Sequence, residues 1–328
     1  MSFFSTLQRL FRRAHPVPST PTSPTPAPPT AAPAAAPVSP PRHAPRERSV
    51  QCMGQHGLHR MAYTEWGDPH NPRVVVCVHG LTRNGRDFDE LARALADDYR
   101  VVCPDVVGRG RSDWLGDKAD YGFPNYVNDM DTLIARLDVD TVHWVGTSMG
   151  GIIGMLLASQ PNTPITRLVL NDVGPVITAT SLRRIAQYVG NAPRFASLAA
   201  AESYIREVSA PFGPLTDAQW QHLTSFSVRP VTDGQDGFEM VYDPGLGEIF
   251  RAAPILNDID LWPVYEGVRC PTLALRGAES DLLEPATLAA MAVRGPRAQT
   301  VEFAGVGHAP MLMDALQIGV VRDFLRAA

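Results

Sequence analysis

Residues 145–151 read VGTSMGG, and this stretch decides the fold prediction. An apolar segment precedes it and an apolar segment that favours a helix follows, so Ser148 stands at a tight reversal from a strand into a helix. Glycines two residues to either side remove side chains that would collide in such a turn. The serine hydroxyl is therefore expected at the end of a sheet, where the following helix directs its free N–H groups.

Apolar runs that predict strands alternate with helical segments on both sides of this stretch. The order is strand, turn, strand, then alternating strands and helices, which is typical of an α/β fold with a mostly parallel sheet covered on both faces. The valine-rich run at 74–78 is typical of a strand buried on both faces. The predicted strands are 58–66, 74–78, 101–103, 142–145, 168–170, 272–275 and 300–303, and the predicted helices are 87–97, 124–137, one after Ser148, and 312–325.

Two segments depart from this alternation. Residues 176–262 carry helical periodicity and turns without a strong strand, so we predict a helical cap inserted between two parts of the core, 49–175 and 263–328. Residues 16–45 contain 12 of the 30 prolines, a composition that buries too little surface to offset chain entropy. We therefore predict that residues 1–48 form a tail with a disordered linker.

The start of the tail is a short basic amphipathic segment. Its apolar side chains fall on one side of a helix and its polar and basic side chains on the other. This pattern predicts peripheral contact of residues 1–14 with a lipid or other apolar surface, or a presequence in a eukaryote, and a tail without function is the alternative. The apolar side comprises Phe3, Phe4, Leu7, Leu10 and Phe11, and the other side Gln8, Arg9, Arg12 and Arg13.

Charge and composition exclude several classes of protein. The net charge is −5, and because residues 1–48 carry +5, the remainder carries −10 and lacks the basic excess of a nucleic-acid binder. No apolar run approaches the roughly 18 residues that predict a membrane span. The cysteines form no CxxC pair, so we expect no metal site, no disulfide framework and a reducing, cytoplasmic location. The four cysteines are Cys52, Cys77, Cys103 and Cys270.

A serine hydroxyl is a weak nucleophile at neutral pH, so it requires a base, and His308 is the candidate. His308 follows the last predicted strand and therefore reaches the same end of the sheet as Ser148. The loop that follows strand 74–78 reaches this end too. The backbone N–H groups of Leu81 and Met149 are predicted to form an oxyanion hole. His79 in that loop is expected to order the backbone rather than act as the base.

The base must be oriented by a carboxylate, and two aspartates follow strands whose ends open toward Ser148. Asp281 lies past the penultimate strand and completes the chain order Ser, Asp, His, so we predict that it is the catalytic acid. Asp172, just after the strand at 168–170, is the alternative. We expect it to bond backbone groups where the chain leaves the sheet for the cap.

These segments together resemble the α/β-hydrolase superfamily from about residue 50 to 328. This resemblance implies an eight-stranded, mostly parallel sheet with helices on both faces and a cap. It also implies a relation to carboxylesterases, hydroxyalkanoate-oligomer hydrolases, lactonases and C–C bond hydrolases. Arg109 stands where relatives often carry His, in a loop that is mainly structural. The matching pieces are His79-Gly80, the loop from Asp105 to Asp113, GTSMGG at 146–151, RGAESDLL at 276–283 and GVGH at 305–308.

The residues and the resemblance predict a serine hydrolase that cleaves a small or medium carboxylic ester through an acyl-enzyme, without cofactor or metal. Arg83 and Asn84 are candidate substrate-binding residues. Ser148 argues against dehalogenases and epoxide hydrolases, which use an aspartate nucleophile. C–C bond hydrolysis is an alternative, although Ala309 stands where such enzymes often carry tryptophan. A binding module on a retained hydrolase fold is the alternative outside enzymes.

Overall fold

The computed structural model describes residues 44–252 and 254–327. The strands are β1 (Arg46–Gly54), β2 (Gly57–Trp66), β3 (Val74–Val78), β4 (Arg100–Pro104), β5 (Val142–Thr147), β6 (Ile165–Asn171), β7 (Val176–Ile177), β8 (Arg194–Phe195), β9 (Val228–Pro230), β10 (Phe238–Met240), β11 (Ile259–Asp260), β12 (Thr272–Gly277) and β13 (Gln299–Phe303). The helices are α1 (Asp89–Leu95), α2 (Phe123–Arg136), α3 (Met149–Ala158), α4 (Ala179–Tyr188), α5 (Leu198–Val208), α6 (Asp217–Ser227), α7 (Glu248–Arg251), α8 (Trp262–Tyr265), α9 (Pro285–Met291) and α10 (Ala315–Arg326).

Eight strands of the described chain form one sheet in the order β1-β2-β4-β3-β5-β6-β12-β13. The pairs β1·β2 and β2·β4 are antiparallel, and every other neighbouring pair is parallel. The predicted fold class is therefore confirmed. Because β5, β6, β12 and β13 run in the same direction, the loops that leave their carboxyl ends meet at one edge of the sheet.

The central strand β3 is buried on both faces, as its valine-rich sequence predicts. Val74, Val76 and Val78 pack on one face in a cluster with residues of α2 and α3. Val75 and Cys77 pack on the other face with residues of α1 and α10. Side chains alternate between the two faces of a strand, so a strand covered by helices on both sides needs apolar residues at every position.

The segment 176–262 combines helices with short strands. It contains α4 to α7, a three-stranded sheet in the order β8-β10-β9, and an antiparallel pair of β7 with β11. The sequence analysis predicted the helices and no strand. Strands of two or three residues are too short to produce a visible period of two, which explains the omission. The division into core and cap remains a prediction.

The predicted boundary of the tail at residue 48 is wrong, because β1 already begins at Arg46. Arg46 lies opposite Glu65 of β2, and its Nε donates to Glu65 Oε1 at 3.1 Å. The proline-rich composition ends at Pro45, so the strand starts where the backbone can first join the ladder. The amphipathic segment and nearly all of the linker lie outside the described residues.

None of the helices in residues 44–252 and 254–327 is both long enough and apolar enough to cross a membrane.

We predict that removal of residues 1–43 leaves the thermal midpoint of unfolding unchanged, whereas removal of residues 1–48 lowers it. The longer deletion removes three ladder pairs, from Arg46↔Glu65 to Arg48↔Tyr63, and the ion pair of Arg46. The expected loss is about 1–3 kcal/mol of unfolding free energy. Calorimetry of the two truncated proteins measures it, and equal midpoints would show that the first residues of β1 contribute nothing.

Candidate active site

Ser148 occupies the sharp turn between β5 and α3 with a φ of 53° and a ψ of −116°. A Cβ at position 146 would lie 2.3 Å from the Gly150 carbonyl oxygen, and one at position 150 would lie 2.0 Å from that of Val78. Both distances are too short for any side chain, so the turn requires the two glycines that the sequence analysis singled out. The turn places Ser148 at the carboxyl edge of the sheet. Its backbone conformation is one that non-glycine residues rarely adopt.

His308 connects Ser148 to a carboxylate. Its Nε2 lies 3.0 Å from Ser148 Oγ, and its Nδ1 lies 2.7 Å from Asp172 Oδ2. The imidazole is 16% exposed, whereas Asp172 is fully buried. The structure thus brings together the two side chains that the sequence analysis placed at this edge, Ser148 and His308, with Asp172 as the third.

Asp172 is fixed by groups from neighbouring elements. Its Oδ1 accepts a hydrogen bond from the Gly277 N–H at 2.8 Å, and its Oδ2 accepts one from Ser280 Oγ at 2.5 Å. Its own N–H donates to the Leu275 carbonyl at 2.9 Å. A buried carboxylate is costly unless its oxygens are hydrogen-bonded, and these donors meet that need while leaving Oδ2 against the imidazole.

The prediction that Asp281 pairs with His308 is wrong. The Asp281 side chain is 53% exposed, and its carboxylate faces Arg184 of α4, with Oδ2 at 2.5 Å from Nε. Strand β12 ends at Gly277, and in the following loop it is Ser280 that points inward to Asp172. Asp172 accepts a backbone N–H from Gly277 at the end of β12, and not from the predicted hinge at 171–175, and its second oxygen contacts the histidine.

A signal for the aspartate that contacts His308 is present in the sequence. Asp172 follows the last residue of β6 directly, and β6 is the neighbour of β5, which leads into Ser148. Adjacent strands lie about 4.8 Å apart, so a residue at this strand end is within reach of a histidine beside the serine. Ser280, which holds the carboxylate, was quoted in the sequence motif but given no role.

Leu81 and Met149, the predicted oxyanion residues, lie beside Ser148 at the same cavity. A Cβ built on Gly80 would be 3.7 Å from the Ser148 Cβ, so the backbone before Leu81 passes close to the hydroxyl. Met149 is the first residue of α3, where a helix leaves its N–H groups without helical partners. Both residues therefore lie next to Ser148, and their predicted role as oxyanion donors remains a prediction.

His79 orders the loop that carries Leu81, as predicted. Its Nε2 accepts a hydrogen bond from the Val106 N–H at 2.9 Å, and its Nδ1 lies 2.7 Å from the Gly80 carbonyl oxygen. Complete burial lowers the pKa of His79 to about 3, so the ring is neutral at physiological pH. A neutral ring that donates through Nδ1 and accepts through Nε2 matches both contacts.

Arg83 and Asn84, the candidate substrate-binding residues, tie their loop to α6. Arg83 binds both oxygens of Asp87 at 2.6 and 2.8 Å and donates to Ser227 Oγ at 2.8 Å. Asn84 Nδ2 donates to the Phe226 carbonyl at 2.8 Å. Neither side chain lines the cavity at Ser148, so the structure provides no support for their predicted contact with substrate.

The cavity next to Ser148 is narrow and apolar, with a volume of about 70 Å³. Residues of the loop after β3, of α2 and of α3 form part of its wall, and residues of the segment 176–262 form much of the rest. Within the described part of the chain, no charged side chain lines the cavity, and its polar side chains are Ser148 and Tyr126. The lining residues are Leu81, Phe123, Tyr126, Ser148, Met149, Ile152, Ile177, Leu182, Ile185, Ile249, Phe250, Ile259, Leu261 and Leu282.

Two groups of side chains in the described chain could ligate a metal ion, and both include residues of the β1–β2 hairpin. The buried group contains a hydrogen bond of 2.9 Å between His59 Nε2 and Asp129 Oδ2. None of these residues lines the cavity at Ser148. Neither group contains a CxxC pair, so the sequence gives no local signal for them; they are Cys52, His59 and Asp129, and His56, Asp117 and Asp120.

Comparisons with known proteins agree with this architecture. Residues 73–315 match the family model described as alpha/beta hydrolase fold. The chain is 50% identical over 291 residues to a 3-hydroxybutyrate-oligomer hydrolase of Cupriavidus necator, which covers 87% of this chain and 99% of the relative.

Two solved structures are also similar. A putative hydrolase from Rickettsia typhi matches with 31% identity and a TM-score of 0.79, over 86% of this chain and 99% of that one. An alpha/beta hydrolase from Novosphingobium aromaticivorans matches with 35% identity and a TM-score of 0.76, over 86% of this chain and 98% of that one. From its sheet, its serine turn and these matches, the chain belongs to the α/β-hydrolase family and is a hydrolase.

Proposed function

We propose that this hydrolase cleaves small carboxylic esters through an acyl-enzyme on Ser148, with His308 as the base and Asp172 as the acid that orients it. The observation that carries the proposal is the chain of contacts from Ser148 Oγ to His308 Nε2 at 3.0 Å and from His308 Nδ1 to Asp172 Oδ2 at 2.7 Å. This order of hydroxyl, imidazole and buried carboxylate is the one that serine nucleophiles require.

In the first half of the reaction, Ser148 attacks the ester carbonyl while His308 Nε2 takes its proton. Asp172 holds Nδ1 protonated, so Nε2 is free to accept, and the carboxylate stabilises the imidazolium that forms. His308 then gives the proton to the departing alcohol. The second half repeats these steps with water as the nucleophile, and the acid leaves from Ser148.

Negative charge develops on the carbonyl oxygen in both halves. We assign its stabilisation to the N–H groups of Leu81 and Met149, which flank Ser148 at the cavity. Each such donor lowers the activation free energy by roughly 3–4 kcal/mol in comparable sites, because its N–H already points to the oxygen before the reaction begins. The N-terminus of α3 carries a partial positive charge, which also stabilises negative charge on this oxygen.

The cavity favours an acyl group that is short and uncharged. The lining is apolar apart from Ser148 and Tyr126, and the cavity volume of about 70 Å³ disfavours long acyl chains. The relative that is 50% identical is a 3-hydroxybutyrate-oligomer hydrolase, whose substrate repeats a short acyl unit. We propose that the substrates include short hydroxyalkanoate oligomers, with one unit in the cavity and the rest outside it.

We predict that Ser148→Ala removes esterase activity by on the order of 10⁴-fold or more, as in other triad knockouts. The protein should remain folded, since the hydroxyl lies at the turn and its hydrogen-bond partner is His308. Turnover of a p-nitrophenyl ester and of a hydroxybutyrate dimer measures the loss, with circular dichroism as the check on folding. A folded variant that retains a tenth of the wild-type rate would refute the mechanism.

Asp172→Asn is expected to lower kcat by roughly 10⁴-fold, because an amide cannot hold the histidine tautomer. Asp281→Asn is the matched control: its carboxylate is half exposed and its partner is Arg184, so activity should stay within about twofold. Steady-state kinetics of both folded variants provides the comparison. A large loss of kcat in Asp281→Asn together with an active Asp172→Asn would show that Asp281 is the catalytic acid.

Leu182→Ala should shift the preference among p-nitrophenyl esters toward longer acyl chains, because Leu182 lines the cavity from α4. Leu198→Ala is the control, since Leu198 is an exposed residue of α5 that does not line the cavity. The measurement is kcat/KM across a series of acyl lengths. An unchanged optimum in Leu182→Ala would show that this cavity does not hold the acyl group.

A further inference from the structure

Arg109 is a fully buried cation beside the site, and the contacts that its guanidinium makes within the described residues are with uncharged groups. Its Nε donates to the Leu81 carbonyl at 2.8 Å, one terminal nitrogen donates to the Val107 carbonyl at 2.7 Å and to Tyr126 Oη at 3.0 Å, and the other lies 3.5 Å from Met149 Sδ. Among the described residues, Arg109 forms no ion pair. In the sequence, Arg109 stands out only as a departure from relatives that often carry His.

Two other arginines of the described chain, one buried and one largely buried, are paired with carboxylates. Arg276 pairs with Glu302 at 2.5 Å, and Arg100 pairs with Glu65 at 2.7 Å. A buried charge without a counterion is costly to the folded state, and its field is not cancelled locally. The charge of Arg109 therefore acts on whatever polar or anionic group lies nearby.

We propose that Arg109 is a positioning residue for ester hydrolysis: it holds Leu81 and Met149 in place, and its charge favours the oxyanion that their amides receive. This inference rests on the proposed function of Ser148. Arg109 contacts both of those residues, one through its carbonyl and the other through its sulfur. A fixed positive charge stabilises a developing anion more than a neutral ester, so its effect falls on the transition state.

The backbone around Arg109 is itself held in place from two sides. The Arg109 N–H donates to the Val106 carbonyl at 3.0 Å, within its own loop. Arg109 also forms an isolated antiparallel bridge with Tyr242, and the Asp243 N–H donates to the Gly108 carbonyl at 2.8 Å. The guanidinium is therefore carried by a loop with little freedom to move, which a preorganised charge requires.

The test compares Arg109→Met, Arg109→Gln and Arg109→Lys. We expect the two neutral variants to lose kcat by about 10- to 100-fold with KM within about threefold, because the charge acts mainly on the transition state. Arg109→Lys should recover a large part of kcat, since it retains the charge. Affinity for a trifluoromethyl ketone, which forms an oxyanion on the serine, should fall in parallel with kcat/KM.

Arg100→Met is the matched control, since it removes a largely buried guanidinium at the opposite end of the sheet. It should lower the thermal midpoint without changing kcat. If a folded neutral variant keeps kcat within twofold, or if lysine restores nothing, Arg109 has only a structural role. If neither neutral variant folds, the test is the affinity of Arg109→Lys for the ketone. The proposal predicts an affinity within about tenfold of wild type, because the charge remains, and a larger loss would contradict it.

Labelling of the wild-type protein with a fluorophosphonate distinguishes a failure of the Arg109 inference from a failure of the proposed function. Label on Ser148 together with unaffected Arg109 variants overturns this inference alone. Absence of label on Ser148 overturns the proposed function, on which this inference depends.

Discussion

The close approach of backbone segments at Ser148 is the constraint on which the rest of the site depends. Side chains at positions 146 and 150 would collide with the backbone, so only the two glycines permit the chain to leave β5 and enter α3 in one step. The same step places the hydroxyl at the carboxyl edge of the sheet and Met149 at the start of the helix. The loops after β3, β6 and β13 then need only reach that edge to complete a site.

The second constraint is the burial of Asp172. Its oxygens receive hydrogen bonds from Gly277 and Ser280, which belong to β12 and its following loop, and Oδ2 also faces His308. Groups from β12, from the loop after it and from the loop after β13 thus hold a single charge in the interior. Arg109 is a buried charge of the opposite sign, and carbonyl oxygens and a sulfur contact its guanidinium. The site consequently contains two buried charges of opposite sign.

The features that the sequence predicted correctly are those fixed by local chemistry. The serine turn follows from glycine spacing, the parallel sheet follows from alternating strands and helices, and His308 follows from its place after the last strand. The choice between Asp172 and Asp281 depends on which strands are neighbours and on which side chain of a loop turns inward. Neither is encoded in a local pattern, so chain order misled the assignment. The short strands β7 to β11 escaped detection because periodicity needs more residues.

The most direct test of the account is to locate the covalent intermediate. The protein is mixed rapidly with a p-nitrophenyl butanoate, quenched in acid during the initial release of p-nitrophenol, and digested for peptide mass spectrometry. The account predicts a burst of p-nitrophenol together with the acyl mass on the peptide that contains Ser148. A burst with the acyl group on another residue, or with Ser148 unmodified, would contradict it.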